Sequence, residues 1–107
     1  PVGEDGTVHA PGDAYAQAAR CFELIRRALG QLDVSMDRVV RTRMFVTDIE
    51  RWAEFGRAHA EAFAAHPPTT TRVEVRRLID PEMLIEVEAD AVAVALTPTR
   101  SSPAASS

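Results

Sequence analysis

Val40-Arg41-Thr42-Arg43-Met44-Phe45-Val46-Thr47-Asp48 is the segment on which the fold turns. Alternation puts Val40, Thr42, Met44 and Val46 on one face of a strand, and Arg41, Arg43, Phe45 and Thr47 on the other. Asp48 closes the strand and can cap a helix over about 49–64. Trp52, Phe55, His59, Ala62 and Phe63 line the apolar side of that helix. His66-Pro67-Pro68 stops it, because proline has no N–H and clashes with the preceding turn.

Downstream, residues 69–77 return to strand character, with Thr71, Val73 and Val75 alternating against Thr70, Arg72, Glu74 and Arg76. Asp80-Pro81-Glu82 is a turn. A long strand then runs from Leu84 to about Leu96. Ile85, Val87, Ala89, Ala91 and Ala93 point one way, and Leu84, Glu86, Glu88, Asp90, Val92 and Val94 the other. Residues 97–107 are rich in Pro, Ser and Ala and read as a disordered tail. Upstream, residues 1–12 read as loop, and Asp13 caps a first helix beginning at Ala14. Its stripe is Ala14, Ala18, Cys21, Phe22, Ile25, Ala28, Leu29 and Leu32, and Gly30 ends it. Ser35 or Asp33 caps a short turn from Met36 to Val39. The order helix, strand, helix, strand, strand predicts a single α+β domain over residues 1–96. Its simplest form has two layers, a mixed sheet covered on one face by two helices. The uncovered sheet face meets either solvent or another subunit.

Composition narrows the function. The chain has 107 residues, 46% of them hydrophobic, enough for one core. Every one of its 12 basic residues is an arginine, so no lysine is present for Schiff-base chemistry. A net charge of −4 suits a nucleic-acid binder poorly. No apolar run reaches the ~20 residues of a membrane helix, and the start shows no signal peptide, which points to the cytoplasm. The lone Cys21 excludes an internal disulfide and falls on the helix stripe as a core residue. His59 and His66 have no acidic partner at metal-ligand spacing, so no metal site is expected. No glycine-rich cofactor loop is present. Tyr15 reads as a packing residue with a wet hydroxyl.

Glu86, Glu88 and Asp90 repel one another on one strand face unless solvated or neutralised. Arg41, Arg43, Arg72 and Arg76 are the candidates to neutralise them. The functional alternative is a pocket that uses one of these carboxylates as a general acid or base. Thr69, Thr70 and Thr71 suit a strand start, and their hydroxyls can also hydrogen-bond a ligand.

Two segments carry a family resemblance. Arg41 to Asp48 resembles the V-x-V-x-V-F-L-T-D strand of the RidA/YjgF/YER057c/UK114 family, the reactive-intermediate deaminases, also called the L-PSP endoribonuclease family. Val73-Glu74-Val75-Arg76-Arg77-Leu78 and Ile85-Glu86-Val87-Glu88-Ala89 resemble its C-terminal signature. The likeness covers residues 1–96. It implies a chorismate-mutase-like, YjgF-type fold, a homotrimer, and ligand clefts between subunits. It also implies hydrolysis of enamines and imines to 2-keto acids and ammonia, with no cofactor and no metal. Glu86 aligns with the glutamate thought to place water. Two departures stand out. The family's first strand hairpin is absent from this sequence. The arginine of its P-A-R-x-x-V-E-V motif, which holds the substrate carboxylate, aligns with Thr70. Arg72, on the same strand face, is the candidate substitute.

The expectation is therefore a RidA-like oligomer that binds a small carboxylate-bearing or imine ligand at a subunit interface. Glu86 would serve catalysis, and Thr70 and Arg72 substrate binding. The alternative is a non-catalytic ligand-binding or chaperone-like module. The family's ribonuclease or translation-inhibitor role is opposed by the acidic balance and by the missing histidine pair.

Overall fold

The computed structural model describes residues 1–93. Helix α1 (Ala14–Gly30) leads through a 3-10 turn (Met36–Arg38) to strand β1 (Val39–Val46). A second 3-10 turn (Ile49–Arg51) opens helix α2 (Trp52–Ala62), and strands β2 (Thr69–Glu74) and β3 (Ile85–Ala91) follow. β1 is central, with β2 parallel on one side and β3 antiparallel on the other. The parallel pair is joined through α2, the crossover that such a pair requires. Both helices lie on one sheet face, which makes the expected α+β two-layer arrangement.

Local chemistry accounts for the helix starts. The Asp13 side chain accepts from Ala16 N at 2.9 Å, filling one of the orphan donors of α1. Asp48 does the same for Glu50 N at 3.1 Å, so its cap holds the 3-10 turn, and α2 begins later than the sequence suggested. Ser35 occupies a cap position without a capping bond; its hydroxyl bonds Asp37 instead. The core joins Ala18, Cys21 and Phe22 of α1 to Met44 and Val46 of β1, Phe55 and Ala58 of α2, and Ile85 of β3. Complete burial of Phe55, Met44 and Ile85 contributes about 1.5–3 kcal/mol each.

Five expectations change. Val39, not Val40, enters the core, because the ladder shifts between Val39 and Arg41 and leaves Val40 as an extra residue, 50% exposed. The α1 stripe expires before Leu32, which follows the helix end and is 72% exposed. Trp52, in the first turn of α2, points outward at 59% exposure. β2 ends at Glu74 rather than at residue 77. β3 ends at Ala91, so Val92 and Ala93 are not strand; Val94 to Leu96 and the 97–107 tail lie outside the described residues.

One core residue was not anticipated. Gln17 is fully buried, donating to Glu82 O at 2.9 Å and accepting from Leu84 N at 2.7 Å. It satisfies the chain just before β3 and pins that strand under α1.

Candidate functional site

Strand register decides which side chains share a face. Thr70, Arg72 and Glu74 of β2 pair with Thr42, Met44 and Val46 of β1, and so lie on the helix-covered face. Glu86 and Val73 both pair with Phe45, on the open face.

Beneath α2, a polar cluster interrupts the apolar core. Thr42 is completely buried, and its Oγ1 is hydrogen-bonded to Thr70 Oγ1 at 2.7 Å. The same oxygen lies 2.9 Å from His59 Nε2 on α2. The His59 ring, 8% exposed, is held edge-on by Phe22 at 5.5 Å and beside Phe63 at 4.8 Å. Burial first, and the positive charge of Arg72 second, hold the imidazole below its ordinary pKa. His59 is therefore a core residue with a polar task, on the apolar side of α2 where its spacing placed it.

Arg72 runs under α2 where the helix offers least bulk. A methyl group at Gly56 would lie 3.5 Å from Arg72 Nη2. Nη1 donates to Trp52 O at 3.4 Å, while Nε is buried and has no partner. Arg72 forms no ion pair among the described residues. The neighbouring carboxylate on its strand face, Glu74, accepts instead from Ile49 N at 2.9 Å. A cation and an exposed hydroxyl, Thr70, thus stand two residues apart on the outer edge of the sheet. That pair can hold a planar anion, because guanidinium and hydroxyl both supply donors.

The open face behaves as its charge pattern suggested. Arg41 meets Asp90 at 3.3 Å and Arg43 meets Glu88 at 2.9 Å, each across a ladder pair. Exposed pairs of this kind contribute about 0–1 kcal/mol. Glu86 differs, with no ion pair among the described residues. It borders a groove of about 270 Å³ at the outer edge of β3, with Cys21, Leu24, Ile25, Ala28 and Val87. Cys21 is buried there, and burial raises its thiol pKa, which keeps it the inert core residue expected. A second groove, about 240 Å³ between the helices, offers no free group: Glu23 is bonded to Arg26 and Arg27, and Glu61 to the Tyr15 hydroxyl.

Thr70 and Arg72 are thus brought together, and Glu86 is not with them. It lies on the opposite face, beyond β1, three residues along that strand from Thr70 and one from Arg72, and the two strand spacings alone are roughly 10 Å. Within one chain these groups cannot touch a common small ligand. Thr42 and His59 were missing from the candidate set. Their signal was a threonine on the apolar face of β1 and a histidine on the apolar stripe of α2, two polar groups facing one core.

Comparison with known proteins settles the lineage. The family model described as Endoribonuclease L-PSP matches residues 1–93. The crystal structure of Rv2704 from Mycobacterium tuberculosis, described as a member of the YjgF/YER057c/UK114 family, is 48% identical. It aligns over 77% of this chain and 70% of that one, with a TM-score of 0.74. Yeast Mmf1 is 27% identical over 86% of this chain and 72% of its own, with a TM-score of 0.78. The Streptomyces coelicolor protein SCO2049 is 31% identical over 78% of this chain. The matched stretch is 63% of that protein and 55% of the curated yeast protein MMF1, which is described as mitochondrial, so the chain spans less than two thirds of either. No helix among the described residues is long and apolar enough to cross a membrane. With its fold, both of its sequence signatures and its structural neighbours in agreement, the chain belongs to the endoribonuclease L-PSP family, the YjgF/YER057c/UK114 proteins.

Proposed function

We propose that this protein is a cytoplasmic homotrimer that hydrolyses small carboxylate-bearing enamines and imines in clefts between subunits. Arg72 and Thr70 of one subunit hold the substrate carboxylate. Glu86 on the open face of the adjacent subunit orients a water toward the imine carbon. Water adds to the C=N bond, the nitrogen takes up protons, and the C–N bond breaks to leave a 2-keto acid and ammonia. The observation that supports this reading best is Arg72: a guanidinium with no carboxylate opposite it among the described residues, beside the exposed Thr70, whose hydroxyl is bonded only to Thr42 among the described residues.

The test is the rate of 2-iminopropionate loss with the protein against a buffer control. Acceleration that is lost in both Glu86→Ala and Arg72→Met is the expected result. No acceleration by folded protein would discard the hydrolase. Thr70, standing where the family motif carries an arginine, favours the second reading, an oligomer that binds the same ligand without turnover. Pyruvate binding without imine hydrolysis would select it.

A further inference from the structure

His59, Thr42 and Thr70 form a line of hydrogen bonds from the core to the edge of β2, at 2.9 Å and 2.7 Å. A hydroxyl has one proton, so such a line has a direction. If Thr42 gives its proton to Thr70, its own oxygen must accept from His59, and Nε2 must carry a hydrogen. The Thr70 proton is then free to point outward. If the line runs the other way, Thr70 donates inward, Thr42 donates to a bare Nε2, and Thr70 shows the outside only lone pairs. Beside the Arg72 guanidinium these two states are not equivalent. The first presents two donors to an anion; the second presents a cation and a lone pair, which an anion avoids.

We propose that His59 is a positioning residue: protonated on Nε2, it fixes the direction of the Thr42–Thr70 line and holds the Thr70 hydroxyl as an outward donor toward a small carboxylate at Arg72. This rests on the anion-binding end described above. The surroundings of His59 suit the task. α1 presents Phe22 to the ring, β1 presents Thr42, the end of α2 presents Phe63, and β2 presents Arg72, the charge that acts on the imidazole. A ring clamped by two aromatics keeps its orientation, so a fixed tautomer gives a fixed direction. There is also a linkage. Arg72 disfavours the imidazolium, and an anion on Arg72 offsets that charge, so His59 gains protons more readily in the bound state. Affinity should therefore rise as the pH falls toward the titration of His59 in the complex.

The experiment uses the full chain with pyruvate as the probe. Long-range proton–nitrogen spectra of 15N-histidine protein report which His59 nitrogen carries the hydrogen. The expected result is Nε2–H, with and without pyruvate, and a His59 titration shifted upward in the complex. His59→Gln keeps a donor near the same place, and should bind pyruvate within about twofold of wild type but without the pH dependence. His59→Leu should weaken binding about five- to tenfold. Should His59→Leu fail to fold, the tautomer and the glutamine variant still decide. Hydrogen on Nδ1 with a bare Nε2, or a glutamine variant as weak as a folded leucine variant, overturns the role of His59. Arg72→Met separates the two ideas: lost binding with the wrong tautomer sinks only the positioning role. Retained binding in Arg72→Met, or no binding of pyruvate by wild type, sinks the anion end and the role that rests on it.

Discussion

Replacing Gly56 by alanine should stabilise the protein, replacing it by leucine should destabilise it, and the contrast measures the seat of Arg72. Glycine inside a helix is about 0.8–1 kcal/mol less favourable than alanine. The added methyl would sit 3.5 Å from Arg72 Nη2 and 3.7 Å from Nη1, ordinary contact distances, so no steric cost opposes the gain. Displacing some water from the guanidinium takes part of it back. The net expectation for Gly56→Ala is about 0.5–1 kcal/mol, or roughly 2–8 °C in Tm. Leucine places three further carbons toward the guanidinium, and overpacking of that kind costs about 1–3 kcal/mol. In an Arg72→Ala background that space is open, so the leucine penalty should largely vanish, a coupling of about 1 kcal/mol or more. Circular dichroism in urea and on heating reads the cycle, at one fixed protein concentration because association adds to apparent stability. Equal leucine penalties with and without Arg72 would show that the arginine does not lie under Gly56, and the anion end would lose its geometry.

Three further outcomes are expected. Thr70→Arg gives up the bond from Thr42 but restores the family guanidinium, and should raise 2-iminopropionate hydrolysis about tenfold; an unchanged rate in folded protein would count against the cleft. Hydrogen bonds from Arg26 and Arg27 hold the Glu23 carboxyl at about 2 instead of 4.5. Because the folded value is depressed, the stability gap between wild type and Glu23→Gln should be constant above pH 4.5 and close as the pH falls to about 2, read by urea unfolding; a gap that persists at the acid end would refute it. Cys21 should react with iodoacetamide at least tenfold more slowly in the native protein than in urea, roughly as for any buried thiol, and equal rates would contradict its burial.

The elements whose causes are local are legible in the sequence. Asp13 announces α1, and the alternation around Met44 announces β1, because caps and two-residue periods need only neighbours. The inward turn of Val39 is not legible there, because the bulge beside it depends on pairing with β3. Gln17 was passed over for the same reason: its partners lie 65 and 67 residues away. Thr70, Arg72 and Glu86 were all legible as candidates. Their relation was not, since the faces they share follow from strand register. His59 was read on the correct helix side, yet its bond to Thr42 spans 17 residues and depends on how α2 settles over β1.

The placement of Arg72 and Glu86 on opposite faces, if both serve one reaction, divides each active centre between two copies of the gene product. Arg72→Met and Glu86→Ala would then be defects that cancel. Two inactive preparations, unfolded together and refolded as a mixture, should regain about one working centre in four by random reassortment in a ring. In a cell carrying both alleles, the two lesions would complement each other within a single protein.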